Sequence, residues 1–221
     1  MFSKDKREER NSDKIILDLC GGTGSWSRPY KEAGYDVRLV TLPEHDIRDF
    51  YVAVGYIFFK EKDDELQIPL KKIYGVLAAP PCTMFSLART KAKKSRDLTE
   101  GMEIVRYCLD IIWSIREKQK LAFWALENPM GLLRQFLGIP LYTFDPSQFG
   151  GDYNKTTDLW GYFKMPIYTE SFYRFSSTDK NTRKLPEIPV DYKIDKKMSR
   201  TAIKRSITPA GFARAFYEAN R

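Results

Sequence analysis

Ala79-Pro80-Pro81-Cys82-Thr83-Met84-Phe85-Ser86 follows the apolar run Ile73-Tyr74-Gly75-Val76-Leu77-Ala78, and these residues decide how the chain is read. The run has the length and composition of a buried strand, so Cys82 falls where a parallel strand ends and a loop begins. Open α/β sheets place their chemistry at that edge. Two prolines deny the backbone a helical continuation and fix its direction. The thiol is then presented from a loop, although a lone cysteine behind proline also suits a packed structural role, because free cysteine is readily buried.

Two other stretches end apolar runs in the same way. Upstream, residues 14–19 read as a strand containing Asp18, and the turn Cys20-Gly21-Gly22-Thr23-Gly24 leads into a helix over residues 25–33 that Gly34 ends. The turn lacks the Lys-Ser or Lys-Thr pair of a phosphate loop, so by itself it is either a ligand cradle or a structural tight turn. Downstream, residues 121–126 read as a strand that delivers Glu127-Asn128-Pro129 to the edge where Cys82 lies. Between these, residues 36–41 form a predicted second strand. Residues 99–118 carry Ile104, Cys108, Ile111, Ile112 and Ile115 at helical spacing, which makes Cys108 a core residue. Residues 131–136 read as a short helix, and residues 141–144 and 158–163 as a closing antiparallel pair. The alternation predicts an α/β fold with a mostly parallel sheet.

The 221 residues suffice for one α/β domain with a full core. Hydrophobic residues at 43% and aromatics at 14% argue for a folded chain, and no apolar run approaches a membrane span. Residues 1–13 are mostly charged and read as a solvated tail rather than a secretion signal. Three cysteines in no paired-ligand spacing disfavour a disulfide framework and a zinc site, and His45, the single histidine, excludes a histidine metal site or a serine triad. Covalent chemistry therefore falls to cysteine. A formal net charge of +8 suits a polyanionic partner without requiring one.

Residues 50–70 hold an aromatic run followed by the charged stretch 60–65, which reads as a connector with no visible chemistry. Arg89, Lys91, Lys93, Lys94 and Arg96 form a basic run directly after the cysteine loop, placed to meet a phosphate backbone. Residues 164–205 hold eleven basic and five acidic residues with interspersed aromatics, and read as either a short nucleic-acid-contacting arm or a solvated loop region. Thr208-Pro209 reads as the cap and first turn of a final helix.

The ordered set Asp18-Leu19-Cys20-Gly21-Gly22-Thr23-Gly24, Pro80-Pro81-Cys82 and Glu127-Asn128-Pro129 resembles the cytosine-5 DNA methyltransferase family, over most of residues 14–163 and a short piece near the C-terminus. The resemblance implies a Rossmann-like S-adenosylmethionine-dependent methyltransferase fold, with residues 14–163 as catalytic domain, 164–205 as a reduced recognition region or basic arm, and 206–221 as a helix packing back on the core. It implies Cys82 as nucleophile and Glu127 as the residue that holds the ring. S-adenosylmethionine would be bound by Asp18, Cys20, Gly22, Thr23, Gly24 and Trp26, with Asp46 and Pro80 on the adenine side. For Asp46, the cap of a following turn is the other reading. The ribose-binding acid expected after the second strand is replaced by Thr41, with Glu44 three residues on. The glutamine and arginines expected before the last strand are replaced by Asn154-Lys155-Thr156-Thr157, which leaves Lys155 as the nearby cation. The expected partner is DNA, for a monomer in the cytoplasm of a prokaryotic or phage-infected cell, with no membrane or metal. RNA or a free pyrimidine nucleotide is the alternative substrate, and a catalytically silent DNA-binding homologue the third reading.

Overall fold

A computed structural model describes residues 10–60, 65–87, 95–151, 153–168, 185–190, 192 and 200–221. In chain order these form β1 (Ile15–Leu19), α1 (Arg28–Glu32), β2 (Asp36–Val40), β3 (Phe50–Ala53), β4 (Tyr56–Lys60), β5 (Glu65–Pro69), β6 (Ile73–Ala78), α2 (Leu98–Arg116), β7 (Phe123–Pro129), α3 (Arg134–Leu137), β8 (Tyr142–Phe144), β9 (Thr157–Tyr162), α4 (Arg200–Ser206) and α5 (Ala210–Asn220). Six strands make one sheet in the order β2-β1-β6-β7-β9-β8. β2, β1, β6 and β7 run parallel, and β9 runs antiparallel between β7 and β8. The α/β class and the antiparallel closing pair expected from the sequence are both present.

Side-chain alternation along these strands builds two apolar layers. Ile15, Leu17, Leu19, Val76 and Ala78 pack with Val105, Cys108, Ile111, Ile112 and Ile115 of α2, while Ile16, Leu77, Phe123 and Ala125 pack with Tyr30 of α1 and Phe212, Phe216 and Tyr217 of α5. A parallel sheet covered on both faces needs such continuous apolar strands, which is why they stand out in the sequence. α5 is held by rings as well: Phe212 stacks on Phe144 with centroids 3.7 Å apart, and Phe216 meets Trp26 edge-on at 5.4 Å.

Residues 50–69 hold structure that the sequence reading did not name. β3, β4 and β5 form a separate three-stranded antiparallel sheet whose Ile57, Phe59 and Ile68 join the α2 layer. Its first hairpin turns at Val54 and Gly55, both with positive φ, which the right-handed strand twist favours in a two-residue loop. Residues 61–64 of the charged stretch lie outside the described residues.

Several boundaries also differ from the sequence reading, among them that of β7, which runs on through Glu127 to Pro129. α1 begins only at Arg28, because residues 20–27 continue as turns and Pro29, which has no amide to donate, is tolerated in a first helical turn. Asn11–Asp13 is a packed 3-10 turn rather than solvated tail, its Asn11 Nδ2 donating to the Ala33 carbonyl at 2.9 Å. α5 is capped by Pro209, not Thr208: the Thr208 amide donates to Ser25 Oγ at 2.9 Å, so Thr208 ties the helix to the glycine turn.

Candidate active site

Cys82 lies four residues beyond the end of β6, in a turn held from several sides. Its carbonyl accepts the amides of Phe85 at 3.0 Å and Ser86 at 2.9 Å. The Phe85 ring is fully buried, and the Phe85 carbonyl accepts the Leu132 amide at 3.0 Å. A Cβ on Gly131 would stand 2.4 Å from that same carbonyl oxygen, so this approach of two loops requires glycine. On the other side of Cys82, the carbonyl of Pro80 accepts Nδ2 of the buried Asn128 at 2.9 Å. The Asn128 of the Glu127-Asn128-Pro129 motif thus fastens the end of β7 to the proline pair, a role the sequence reading did not give it.

Glu127 sits one residue past Leu126, which is opposite Ala78 at the end of β6, so the two strands deliver Glu127 and the Cys82 turn to one edge. Lys155, from the loop before β9, places Nζ 3.5 Å from Glu127 Oε1, with only 18% and 13% of the two side chains exposed. Burial pushes the pKa of the Cys82 thiol up, the Lys155 ammonium pulls it down, and the Glu127 carboxylate pushes it up again. A backbone hydrogen bond and, more weakly, the Arg205 guanidinium also pull it down. Net, the thiol ionises above the ordinary thiol range, so the resting side chain is protonated at neutral pH.

Arg205 was legible only as one charge in a basic stretch. It is exposed at the end of α4, between the buried Ile203 and Ile207, and three residues before the Thr208 amide that bonds the glycine turn. Its neighbour Lys204 pairs with Glu187 at 3.0 Å. Tyr153, also unread in the sequence, is buried with its hydroxyl unpartnered among the described residues, and burial with the nearby Glu127 and Asp145 carboxylates pushes it up to about 12.

The glycine turn follows β1 as expected, with positive φ at Cys20, Gly22 and Gly24. Its residues divide into two groups. Gly22 has open space where a side chain would go, and Thr23 Oγ1 donates to Ser25 Oγ at 3.0 Å. Cys20, by contrast, turns its thiol to Cys108 of α2, and Trp26 is buried against α5. Both face the core rather than the open side of the turn. Beneath the turn lies Asp18, fully buried, its Oδ2 accepting from Ser27 Oγ at 2.5 Å and its Oδ1 unpartnered. Burial raises its pKa to about 7 despite the Ser27 hydrogen bond. A Cβ on Gly21 would lie 2.3 Å from Asp18 Oδ1, so glycine here leaves the carboxyl against bare backbone.

Past β2, Thr41 is half-buried and its carbonyl accepts the His45 amide at 2.9 Å, while Glu44 is exposed. Asp46 takes the capping role: it accepts the Arg48 amide at 3.0 Å at the head of the 3-10 turn Ile47–Asp49. The hydrogen bond from the Arg48 side chain holds the Asp46 carboxyl below the usual carboxylate range. Pro80 is buried, with its carbonyl given to Asn128. Of the basic run, Arg89, Lys91, Lys93 and Lys94 lie outside the described residues. Arg96 does not reach outward for a phosphate. Its two terminal nitrogens donate to the carbonyls of Met84 and Ser86, each at 2.8 Å.

Among the described residues, no cluster of three or more His, Cys, Asp or Glu is arranged to hold a metal, and no helix is long and apolar enough to cross a membrane. No protein-family model matches the chain, and comparison with curated proteins gives no match.

Proposed function

We propose that the chain transfers a methyl group from S-adenosylmethionine to carbon 5 of cytosine in DNA. The observation that carries this is the grouping of Cys82, Glu127 and Lys155 at one sheet edge, with the thiol inside the fields of both charged partners. Carbon 5 of cytosine is a poor nucleophile and needs a transient bond at carbon 6 to push electron density onto it. A thiolate is suited to that addition.

In this reading the Cys82 thiol passes its proton to water and its sulfur bonds to carbon 6, the pair of the 5,6 double bond moving toward carbon 5. Glu127 accepts a hydrogen bond from the exocyclic amine and manages the proton at ring nitrogen 3. Lys155, already beside Glu127, donates to the ring carbonyl in place of the absent arginines and favours the thiolate. Once carbon 5 has gained the methyl group and lost its proton to water, the pair of that carbon–hydrogen bond re-forms the 5,6 double bond, the sulfur–carbon 6 bond breaks and Cys82 is restored. In a duplex the base must first leave the stack. Arg205, exposed at the mouth of the site, contacts a phosphate of the target strand.

The glycine turn fits the methyl donor on two counts: the unpartnered Oδ1 of Asp18 lies under the turn, and Gly22 leaves its outer side open. When bound, S-adenosylmethionine supplies an electrophilic methyl group on a sulfonium. Asp18, the turn amides and Thr23 would hold it, with Glu44 as the acid on the ribose. The mostly parallel sheet with a reversed strand between β7 and β8 supports the Rossmann-like methyltransferase arrangement.

Incubation with methyl-labelled donor and DNA, RNA or free pyrimidine nucleotides in parallel tests the reading. Label in DNA that disappears with Cys82→Ala supports it. Label only in RNA or nucleotide transfers the same chemistry to another substrate, and label in none favours a silent DNA-binding protein.

A further inference from the structure

The basic run after Cys82 ends in a residue with a different task. We propose that Arg96 is a positioning residue, whose guanidinium fixes the turn that presents Cys82 by bridging the carbonyls of Met84 and Ser86. The assignment rests on the methyl-transfer reading only for its catalytic consequence; the clamp itself is a matter of geometry.

Both hydrogen bonds are 2.8 Å and come from the two terminal nitrogens of one planar fork, so each fixes the other's direction. The two accepting residues flank Phe85, whose amide, like that of Ser86, closes the turn back onto the Cys82 carbonyl. Met84 and Ser86 are each half-buried, and neither lies in a helix or strand among the described residues. Arg96 also stands one residue before Asp97, whose side chain accepts the Glu100 amide at 2.9 Å and caps α2. The fork is thus mounted on the start of the longest helix, and Gly101, one turn into that helix, packs directly against Met84 and Phe85. Turn and helix end form one unit.

A lysine retains the charge but is a point donor that cannot reproduce a planar two-pronged bridge. This separates a clamp from a phosphate contact. Three readouts on Arg96→Lys and Arg96→Ala decide it without any methyl-transfer assay: amide hydrogen exchange at Phe85 and Ser86, alkylation of Cys82 by iodoacetamide followed by peptide mass, and duplex DNA affinity against salt. The clamp predicts that both variants exchange those amides at least tenfold faster and change the Cys82 alkylation rate severalfold. It also predicts duplex affinity within about twofold of wild type and an unchanged salt slope. The proposal is overturned if Arg96→Lys behaves as wild type while Arg96→Ala binds DNA more weakly with a salt slope shallower by about one. It is equally overturned if exchange and alkylation stay at wild-type rates in both variants. Should Arg96→Ala fail to fold, Arg96→Lys decides alone through the same exchange and alkylation rates. Absence of methyl transfer in the wild type would remove the function proposed above and leave these results untouched.

Discussion

Lys155 Nζ stands 3.5 Å from Glu127 Oε1, and the two charges act in opposite directions on the one thiol between the strand ends. The ion pair is mostly shielded from solvent, so its members cannot be exchanged for neutral residues without changing Cys82. Removing the cation leaves burial and the carboxylate, both of which disfavour the thiolate, against the weaker pull of Arg205. Lys155→Met is expected to slow Cys82 alkylation at pH 8 severalfold and to cut methyl transfer at least a hundredfold, with Lys155→Arg recovering part of both. A pH series of alkylation rates checks the shift.

Glu127→Gln predicts the opposite sign on the thiol. Loss of the carboxylate charge leaves Lys155 and Arg205 opposed by burial alone, so Cys82 ionises at lower pH than in the wild type and alkylates faster near neutrality. Methyl transfer nevertheless falls at least a hundredfold, because the ring loses its proton-handling partner. Faster alkylation combined with slower turnover separates a role in holding the base from a role in activating the thiol.

Asp18 makes a prediction about stability. Its folded pKa of about 7 lies above the ordinary carboxylate value of 3.8, so between those limits the folded state binds more protons than the unfolded one. By linkage, the Asp18 contribution to stability is greatest below about pH 4, falls as pH rises to about 7, and stays level above that. Asp18→Asn, which keeps the shape and removes the charge, should raise stability at pH 8 by on the order of a few kcal/mol and flatten the decline between pH 4 and 7. Urea unfolding of both proteins at pH 5 and pH 8 measures it. The same variant should bind S-adenosylmethionine less well, since the buried carboxyl is the acceptor under the turn.

Arg205→Ala should weaken duplex binding and make its salt dependence shallower by about one unit of slope, while the Cys82 thiol pKa rises slightly. Titrating fluorescent duplex at several salt concentrations reads the first effect, and alkylation against pH the second.

The chain's architecture could be read where one physical requirement governed a whole segment. Residues 73–78 and 121–126 had to be apolar throughout to fill a sheet covered on both faces, and the prolines and glycine-rich turn marked where those strands end. Residues 50–69 were opaque because their turn, Val54-Gly55, carries none of the Asn-Gly or Asp-Gly signal that normally announces a hairpin, and because the buried face of that sheet is completed only by α2. The residues that hold the site together were harder still. Asn128, Ser27 and Arg96 act through hydrogen bonds to groups 48, 9 and 10–12 positions away, contacts that no local pattern encodes. Trp26 and Cys20 looked like part of an open turn because their spacing within it says nothing about which side each one faces.

The central claim is that Cys82 bonds transiently to carbon 6 of cytosine in DNA, and trapping that bond tests it most directly. In a duplex carrying 5-fluorocytosine, fluorine replaces the proton whose loss releases the enzyme, so the addition cannot be undone after methylation. With S-adenosylmethionine present, the account predicts a denaturant-stable protein–DNA adduct whose cross-linked peptide contains Cys82, absent in Cys82→Ala and reduced in Lys155→Met. An adduct that persists in Cys82→Ala, or no DNA adduct while RNA or a free nucleotide is methylated, would contradict it.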